Sequence, residues 1–411
     1  MRRDAEMSKL EIVALLPKRD GRARAGHPWV FSNEINMTPA LKALVPGSLV
    51  TVADSRGEAV GTYTFNPNTL IACRKLSGKP NAEINVAWLE ERLRQALRRR
   101  PASPYYRLVH SEGDDMPGLV VDRFGDVLVG QITTAGMQLL KDDLEAALIS
   151  VTGCKGMVWR MDTSARSLEG LPVNDEVDIA GDVPEGRGKV MENGLEFVAD
   201  IAGGQKTGWF YDQRANHAFM AQMVANMVEQ QAAKGGAVEV LDVYSHIGGF
   251  GLAMLHGGAA HATLVDASNH AMNLARESAK IQGVDGKCEF VVKHAFDAME
   301  EMGAAGKLFN AVVCDPPAFI KSAKVMAEGL KGYEKVARLG AALVRGGGYL
   351  TVCSCSHNAT LEDFMAASVR GVRRAGRSGR MLRVGGADYD HPQHLMLGEN
   401  SYLKCITLQL D

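Results

Sequence analysis

At 411 residues the chain exceeds one ordinary domain, and two or three are expected. Its 46% hydrophobic and 23% charged residues describe a soluble, well-cored protein; no apolar run approaches the ~20 residues of a membrane span, and a formal net charge of −2 leaves any nucleic-acid affinity to local patches. Seven cysteines without CxxC pairs or zinc-finger spacing argue against a disulfide framework and a structural metal, and Met1-Arg-Arg-Asp running into mixed polar residues gives no secretory leader, so a cytoplasmic location is expected.

Taken in order, residues 9–75 predict short strands at Leu10–Leu16, Ser48–Ala53, Ala59–Phe65 and Leu70–Leu76. Pro46-Gly47, Asp54-Ser-Arg-Gly57 and Asn66-Pro-Asn68 break them. A basic stretch from Lys18 to Trp29 lies between the first two and carries Lys18, Arg19, Arg22 and Arg24. Such cations neutralise phosphates, so these four are candidate RNA contacts; Trp29 or Phe31 would stack on a base or fill the core. Asn81–Arg100 then predicts a helix, with Trp88, Leu89, Leu93, Ala96 and Leu97 on one face and arginines on the other. Strands at Gly118–Asp122, Val127–Thr133 and Gly156–Arg160 alternate with a helix at Met137–Ile149, which gives a central α+β region. Gly181–Gly188 reads as a turn or linker. The expected division is 1–80, 81–190 and 191–411.

In the last region a strand at Glu192–Asp200 precedes a long helix reaching about Gln231. Strands and helices then alternate: Ala271–Gln282 (helix), Cys288–Lys293 and Ala311–Cys314 (strands), Lys331–Leu343 (helix), Gly348–Cys353 (strand) and Leu361–Arg374 (helix). Met381–Gly385 and Leu403–Leu410 close it as an antiparallel pair. This pattern gives an α/β fold with a mostly parallel sheet. Its organising stretch is Val238–Asp266, a strand ending at Asp242, a glycine turn, a helix, and a second strand ending at Asp266. Gly248, Gly249 and Gly251 leave Met254 at the third Rossmann position, so the dinucleotide fingerprint is incomplete. S-adenosylmethionine carries no phosphate and asks only that backbone approach its methionine end, with Asp266 accepting from the ribose hydroxyls. Asp242, Gly248, Gly249, Gly251 and Asp266 are therefore candidate cofactor residues.

Ligands bind beyond the carboxyl ends of parallel strands, and three further ends carry chemistry. The third strand runs into Lys293-His294-Ala-Phe-Asp297, where Asp297 is the candidate partner of an adenine amino group. The fourth runs into Cys314-Asp315-Pro-Pro-Ala-Phe319, whose prolines stiffen the backbone around Asp315 near the transferable methyl. The next strand ends in Cys353-Ser-Cys355-Ser-His357. A thiolate there, beside a carboxyl, suits attack on carbon 6 of a pyrimidine with a proton given to ring nitrogen 3. Cys355 is the candidate nucleophile, Asp315 the group serving nitrogen 3, and Cys353 the competing thiol. Packing is the expected role of Cys73, Cys154, Cys288, Cys314 and Cys405.

HPWVFSNEI, EGDDMPGLVVDRFGD, QKTGWFYDQR, LDVYSHIGGFG, CDPPAF, SCSH and SYLKC, in this order, resemble the RlmI-type family of bacterial large-subunit rRNA cytosine-C5 methyltransferases. The resemblance covers nearly the whole chain. It implies an N-terminal PUA-like β-barrel, a central α+β domain and a class I SAM-dependent methyltransferase domain. It also implies S-adenosylmethionine as cofactor, 23S rRNA as partner and Cys355 as nucleophile. Lys206, Asp212 and Arg214 would border the cofactor or the target base, their alternative being a capped, ion-paired helix start. Ala318 stands where many RNA cytosine-C5 enzymes have a second cysteine, which leaves proton removal to Asp315 or a water. His294 stands where relatives tend to have an acid. Two other functions compete: methylation of an exocyclic purine amine, which needs no thiol, and RNA binding without turnover. Arg370, Arg373, Arg374, Arg377, Arg380 and Arg383 would serve the latter or any rRNA enzyme.

Overall fold

The structure is a computed structural model that describes residues 9–184, 187–203, 207–232, 235–398 and 401–411. The chain forms two compact units: Met1–Gly186 with Asp200–Gly208 and Tyr389–Gly398, and Arg187–Ala199 with Trp209–Asp388 and Glu399–Asp411.

The first unit holds two five-stranded sheets. β1 (Glu11–Ala14), β2 (Trp29–Phe31), β3 (Ser48–Ala53), β4 (Ala59–Phe65) and β5 (Ile71–Ser77) pair in the order β1-β3-β4-β5-β2 around Val50, Val52, Tyr63 and Phe65. The basic stretch is not a loop throughout: it contains a one-turn helix, α1 (Gly21–Arg24), and ends in β2. A second short helix, α2 (Pro39–Lys42), has Thr38 as its cap and a proline in its first turn. Helix α3 (Val86–Leu97) is shorter than expected because Asn85 caps it, accepting from the Trp88 N–H.

The second sheet adds β6 (Tyr105–His110), β7 (Leu119–Phe124), β8 (Val127–Ile132), β9 (Gly156–Arg160) and β10 (Val177–Gly181), in the order β10-β9-β8-β7-β6. Neither β6 nor β10 was expected, because Tyr-Tyr-Arg-Leu-Val-His and the half-exposed Val-Asp-Ile-Ala-Gly lack clean alternation. The helix expected over Met137–Ile149 is two pieces, α4 (Ala135–Leu139) and α5 (Lys141–Thr152), parting at Leu140. The first piece is pinned against the N-terminal sheet, with Gly136 backed on Thr64 and Ala135 against Gly47. The second packs on α3.

The second unit opens with a hairpin, β11 (Arg187–Glu192) and β12 (Leu195–Asp200), so the stretch expected as linker is partly strand. Helix α6 (Arg214–Ala232) follows. The main sheet contains β13 (Glu239–Val243), β14 (His261–Asp266), β15 (Cys288–Val292), β16 (Phe309–Cys314), β17 (Val344–Ser354), β18 (Gly379–Gly385) and β19 (Lys404–Leu410). Their order is β15-β14-β13-β16-β17-β19-β18, with the first five parallel and β19 antiparallel to both neighbours. Helices α7 (Gly249–His256), α8 (Asn269–Ile281), α9 (Ala295–Ala304), α10 (Met326–Ala342) and α11 (Leu361–Arg374) supply the crossovers and cover. Helix α9, for which no element was expected, buries Ala295, Ala298, Met299 and Met302 and is separated from β15 by two residues. The chain builds outward from β13 through β14 on one side and from β16 on the other, so the topological switch point lies at the carboxyl ends of β13 and β16.

Candidate active site

The turn after β13 takes Tyr244 (φ 64°), His246 (φ 50°) and Gly248 (φ 87°) through the left-handed region. Two non-glycine residues there store strain that the surroundings must hold. What holds it is carboxylates. Asp266 accepts from the His246 N–H (2.9 Å) and the Ser268 N–H (2.8 Å), bridging this turn to the start of α8. Asp242, buried within β13 rather than at its end, accepts from the Gly251 N–H at 2.7 Å.

Each glycine makes room for the protein itself, a reason the sequence did not show. A Cβ on Gly249 would meet Cε1 of His217 at 2.6 Å, and one on Gly251 would meet Leu264 at 3.0 Å and Asp242 at 3.2 Å. His217 is fixed in turn by Glu192 (2.6 Å) and lies edge-on to Phe250. Burial pushes the Asp242 carboxyl up to about 7, against the opposing pull of the Gly251 N–H.

The fit to S-adenosylmethionine rests on these acids. Oδ1 of Asp242 is buried with no hydrogen-bond partner among the described residues, so it is ready to accept from a ligand donor. Asp266 keeps one lone pair per oxygen beyond its two backbone bonds, enough for a pair of hydroxyls. Asp297 and His294 lie exposed, Asp297 in the first turn of α9, where it also complements the helix dipole.

Asp315 follows β16, one strand from Cys355, which follows β17. Gln213 donates from Nε2 to Oδ2 of Asp315 at 2.8 Å, and Asn216 donates to Gln213 Oε1 at 2.7 Å. The two loops are stitched together. The Ile320 N–H donates to Ser356 Oγ (3.1 Å), Asn358 donates to the Ile320 carbonyl (3.3 Å), and Ser356 Oγ also bonds the Tyr333 hydroxyl (2.7 Å). Ser354 and Ser356 are fully buried, so they lock the backbone on both sides of the half-buried Cys355.

Strand β17 ends at Ser354, so Cys355 is no longer part of the strand face that holds Cys353. Cys353 is fully buried opposite Cys405, and burial together with the Cys405 thiol pushes its own thiol well above the usual range. Cys314 is likewise buried and raised. The sequence also missed Lys404, the first residue of β19, which donates to the Ser356 carbonyl at 2.8 Å.

Of the flanking residues, Asp212 is bonded by the Tyr402 hydroxyl, and Arg214 pairs with Asp388 at 3.1 Å while starting α6. Lys206 lies outside the described residues. In the first unit Lys18 and Arg19 are exposed without ion pairs among the described residues, whereas Arg22 pairs with Glu34 (2.8 Å) and Arg24 approaches Asp54 (3.8 Å). Trp29 donates its indole N–H to Glu112 at 2.7 Å, and Arg22 covers Phe31, so neither ring is a bare stacking surface. The arginine-rich segment is largely tied down. Arg370 and Arg374 hold Glu334, Arg377 and Arg380 hold Asp411, and Arg383 donates to the Ala215 carbonyl. Among the described residues no group of three or more metal-ligating side chains converges, and no helix is long and apolar enough to cross a membrane.

Residues 13–78 match the PUA-like domain family, and residues 176–375 match the family of S-adenosylmethionine-dependent methyltransferases. The chain is 30% identical over 386 residues to ribosomal RNA large subunit methyltransferase I of Klebsiella pneumoniae, covering 92% of this chain and 93% of that one. It belongs to the ribosomal RNA large subunit methyltransferase I family. The same-named protein of Cronobacter sakazakii is 29% identical over 385 residues, covering 92% and 94% of the two chains. Among solved structures, a Streptococcus mutans protein described as a SAM-dependent methyltransferase superposes with a TM-score of 0.79 at 19% identity, over 97% of this chain and all of that one. A methyltransferase solved with SAH superposes at 0.78 and 18% identity, over 97% of this chain and 99% of that one. The fold is therefore that of a class I methyltransferase with an N-terminal PUA-like domain, and S-adenosylmethionine is its cofactor.

Proposed function

We propose that the protein methylates carbon 5 of a cytosine in large-subunit rRNA, with Cys355 as the nucleophile. The observation that carries this reading is the contrast between two neighbouring thiols. Cys355 is half-buried just past β17 on a loop stitched to the Asp315 loop, while Cys353 is fully buried opposite Cys405. A reading without thiol chemistry has no use for a cysteine braced by two buried serines at that edge. The name of the relatives supports rRNA of the large subunit as the substrate.

Asp242 and Asp266 would hold the cofactor, with Asp297 as the adenine contact. S-adenosylmethionine, when bound, supplies an electrophilic sulfonium methyl and leaves as S-adenosylhomocysteine. The chain's own residues make carbon 5 receptive. The Cys355 thiolate forms a bond to carbon 6, and the electron pair of the 5,6 double bond moves into the ring as Asp315 delivers a proton to nitrogen 3. Gln213 orients that carboxyl. Once carbon 5 carries the methyl, its proton passes to Asp315 or a water. The pair from the carbon 5–hydrogen bond restores the double bond as the sulfur–carbon 6 bond breaks with its electrons returning to Cys355, and nitrogen 3 gives its proton up to solvent. Reaching carbon 6 requires the base to be out of its stack. Lys18 and Arg19, free of ion pairs among the described residues, are the phosphate contacts we favour in the N-terminal domain, with Arg22 and Arg24 beside them.

The test uses labelled S-adenosylmethionine, unmodified large-subunit rRNA, wild type and Cys355→Ala, followed by nucleoside digestion. Label in 5-methylcytidine that disappears in the variant is expected. Label in a methylated purine, undiminished activity of the variant, or cofactor binding with no product from any rRNA would each overturn the reading.

A further inference from the structure

Among the described residues, the side chain of Lys404 is a buried cation with no carboxylate partner. Its residue is 5% exposed, at the start of β19 and in register with Ser354, the last residue of β17. Its ammonium donates to the carbonyl of Ser356 at 2.8 Å and to that of Tyr402 at 3.1 Å. Among the described residues no acidic side chain lies within ion-pair reach of it. Buried lysines are rare unless paired, because two neutral carbonyls satisfy hydrogen bonds but cancel no charge. One ammonium hydrogen remains, and the carbonyl that anchors the head belongs to the residue directly after Cys355. The missing counter-charge is therefore to be sought in the adjacent thiol.

Resting on the reading that Cys355 is the nucleophile, we propose that Lys404 is a positioning residue that holds Cys355 as its thiolate, from a fixed point at the end of β19. The ammonium is anchored to the same loop that carries the sulfur, so the charge stays beside it when the base enters. Burial pulls the Lys404 ammonium down from its ordinary range, and Cys355 pushes it back up. The other titratable groups around the loop differ in sign or strength. Tyr333 of α10, bonded to Ser356, is a buried phenol raised above its usual range and stays neutral. His357, on the same loop, is exposed and stacked on Tyr402, whose hydroxyl is committed to Asp212. Asp315 on the neighbouring loop opposes a thiolate, and it is tied to Gln213. Lys404 is the cation anchored to this loop. A neighbouring lysine is among the environments that lower a thiol below its ordinary value.

The test is alkylation of the full-length protein by iodoacetamide, without RNA or cofactor, from acid to alkaline pH, with Cys355 modification followed by peptide mass spectrometry. Wild-type Cys355 should react with a midpoint below the ordinary thiol value of about 8.5. Lys404→Met should raise the midpoint by about one pH unit or more, and Lys404→Arg should retain most of the lowering. Cys288, half-buried on β15, serves as an internal reference whose profile should not move. A wild-type midpoint at or above the ordinary value, or superimposable wild-type and Lys404→Met profiles, overturns the proposal. If the methionine variant does not fold, the wild-type midpoint and the arginine variant decide. Because alkylation needs no methyl transfer, the two readings fail separately. A Lys404-dependent midpoint alongside an active Cys355→Ala enzyme sinks the nucleophile assignment alone. An inactive Cys355→Ala with unchanged alkylation profiles sinks the Lys404 role alone.

Discussion

The two halves of the sheet's carboxyl edge are built differently. At β13 and β14 the acids are braced by backbone: Gly251 on Asp242, and His246 and Ser268 on Asp266. At β16, β17 and β19 the bracing comes largely through side chains: Gln213 on Asp315, Ser356 on Ile320 and Tyr333, and Lys404 reaching the Ser356 carbonyl. Backbone bracing suits a cofactor of fixed shape, since it is set once by the turn. Side-chain bracing suits the half where charge and protons move, since those groups differ in acidity and direction. The difference predicts separable kinetics: damage to the first half should appear in cofactor affinity, and damage to the second in kcat.

Asp315→Ala should give the largest such effect, with kcat falling about 10²–10⁴-fold at nearly unchanged cofactor affinity, as measured by steady-state methylation. Loss of cofactor binding instead would erase the division. Asp266→Ala should weaken S-adenosylmethionine about 10–100-fold by calorimetry, since it removes hydrogen bonds to a charged acceptor. A change confined to kcat would contradict it. Gln213→Ala should lower kcat roughly tenfold, the worth of one charge-assisted hydrogen bond, and leave cofactor affinity alone.

Two smaller effects probe the first half through stability. Gly249→Ala forces a methyl into the His217 ring and should cost about 1–3 kcal/mol in denaturant unfolding, because Glu192 and Phe250 leave that ring little freedom. Asp242→Asn should stabilise the cofactor-free protein in a pH-dependent way. The Asp242 carboxyl rises from an ordinary value near 3.8 to about 7 on folding, so the folded state keeps its proton over that interval while the unfolded chain loses it. Wild-type stability from this group is thus full below about pH 4, falls as pH rises through 7, and stays lost above it. The asparagine variant should match wild type near pH 4 and exceed it by a thermal midpoint gain that levels off above pH 7. A gain independent of pH would refute the buried charge.

The same division explains what the sequence could show. The two acids and three glycines of the first half lie within Val238–Asp266, so strand periodicity, glycines and acids were legible together. Its glycines were read as openings for a ligand, because a sequence cannot show that His217 and Leu264 fill that space. In the second half Asp315 and Cys355 stood out by chemistry. Gln213 and Lys404 lay inside recognised motifs, QKTGWFYDQR and SYLKC, but were given no role, since they reach the site from 102 and 48 positions away. The choice between Cys353 and Cys355 stayed open for the same reason. It turns on where β17 stops and on Cys405 of β19, both products of tertiary pairing. Strand β6 and helix α9 escaped notice because their apolar positions are interrupted by Arg107 and by acidic residues.

A bond between Cys355 and carbon 6 of the target cytosine can be trapped before it breaks. Large-subunit rRNA containing 5-fluorocytidine would be incubated with the enzyme and S-adenosylmethionine, then denatured and resolved by mass. Fluorine cannot leave as a proton does, so the final elimination is blocked. A denaturation-resistant protein–RNA adduct is expected on the peptide holding Cys355, absent in Cys355→Ala and present in Cys353→Ala. An adduct on Cys353, or methylated RNA released with no adduct at all, would contradict the Cys355 bond.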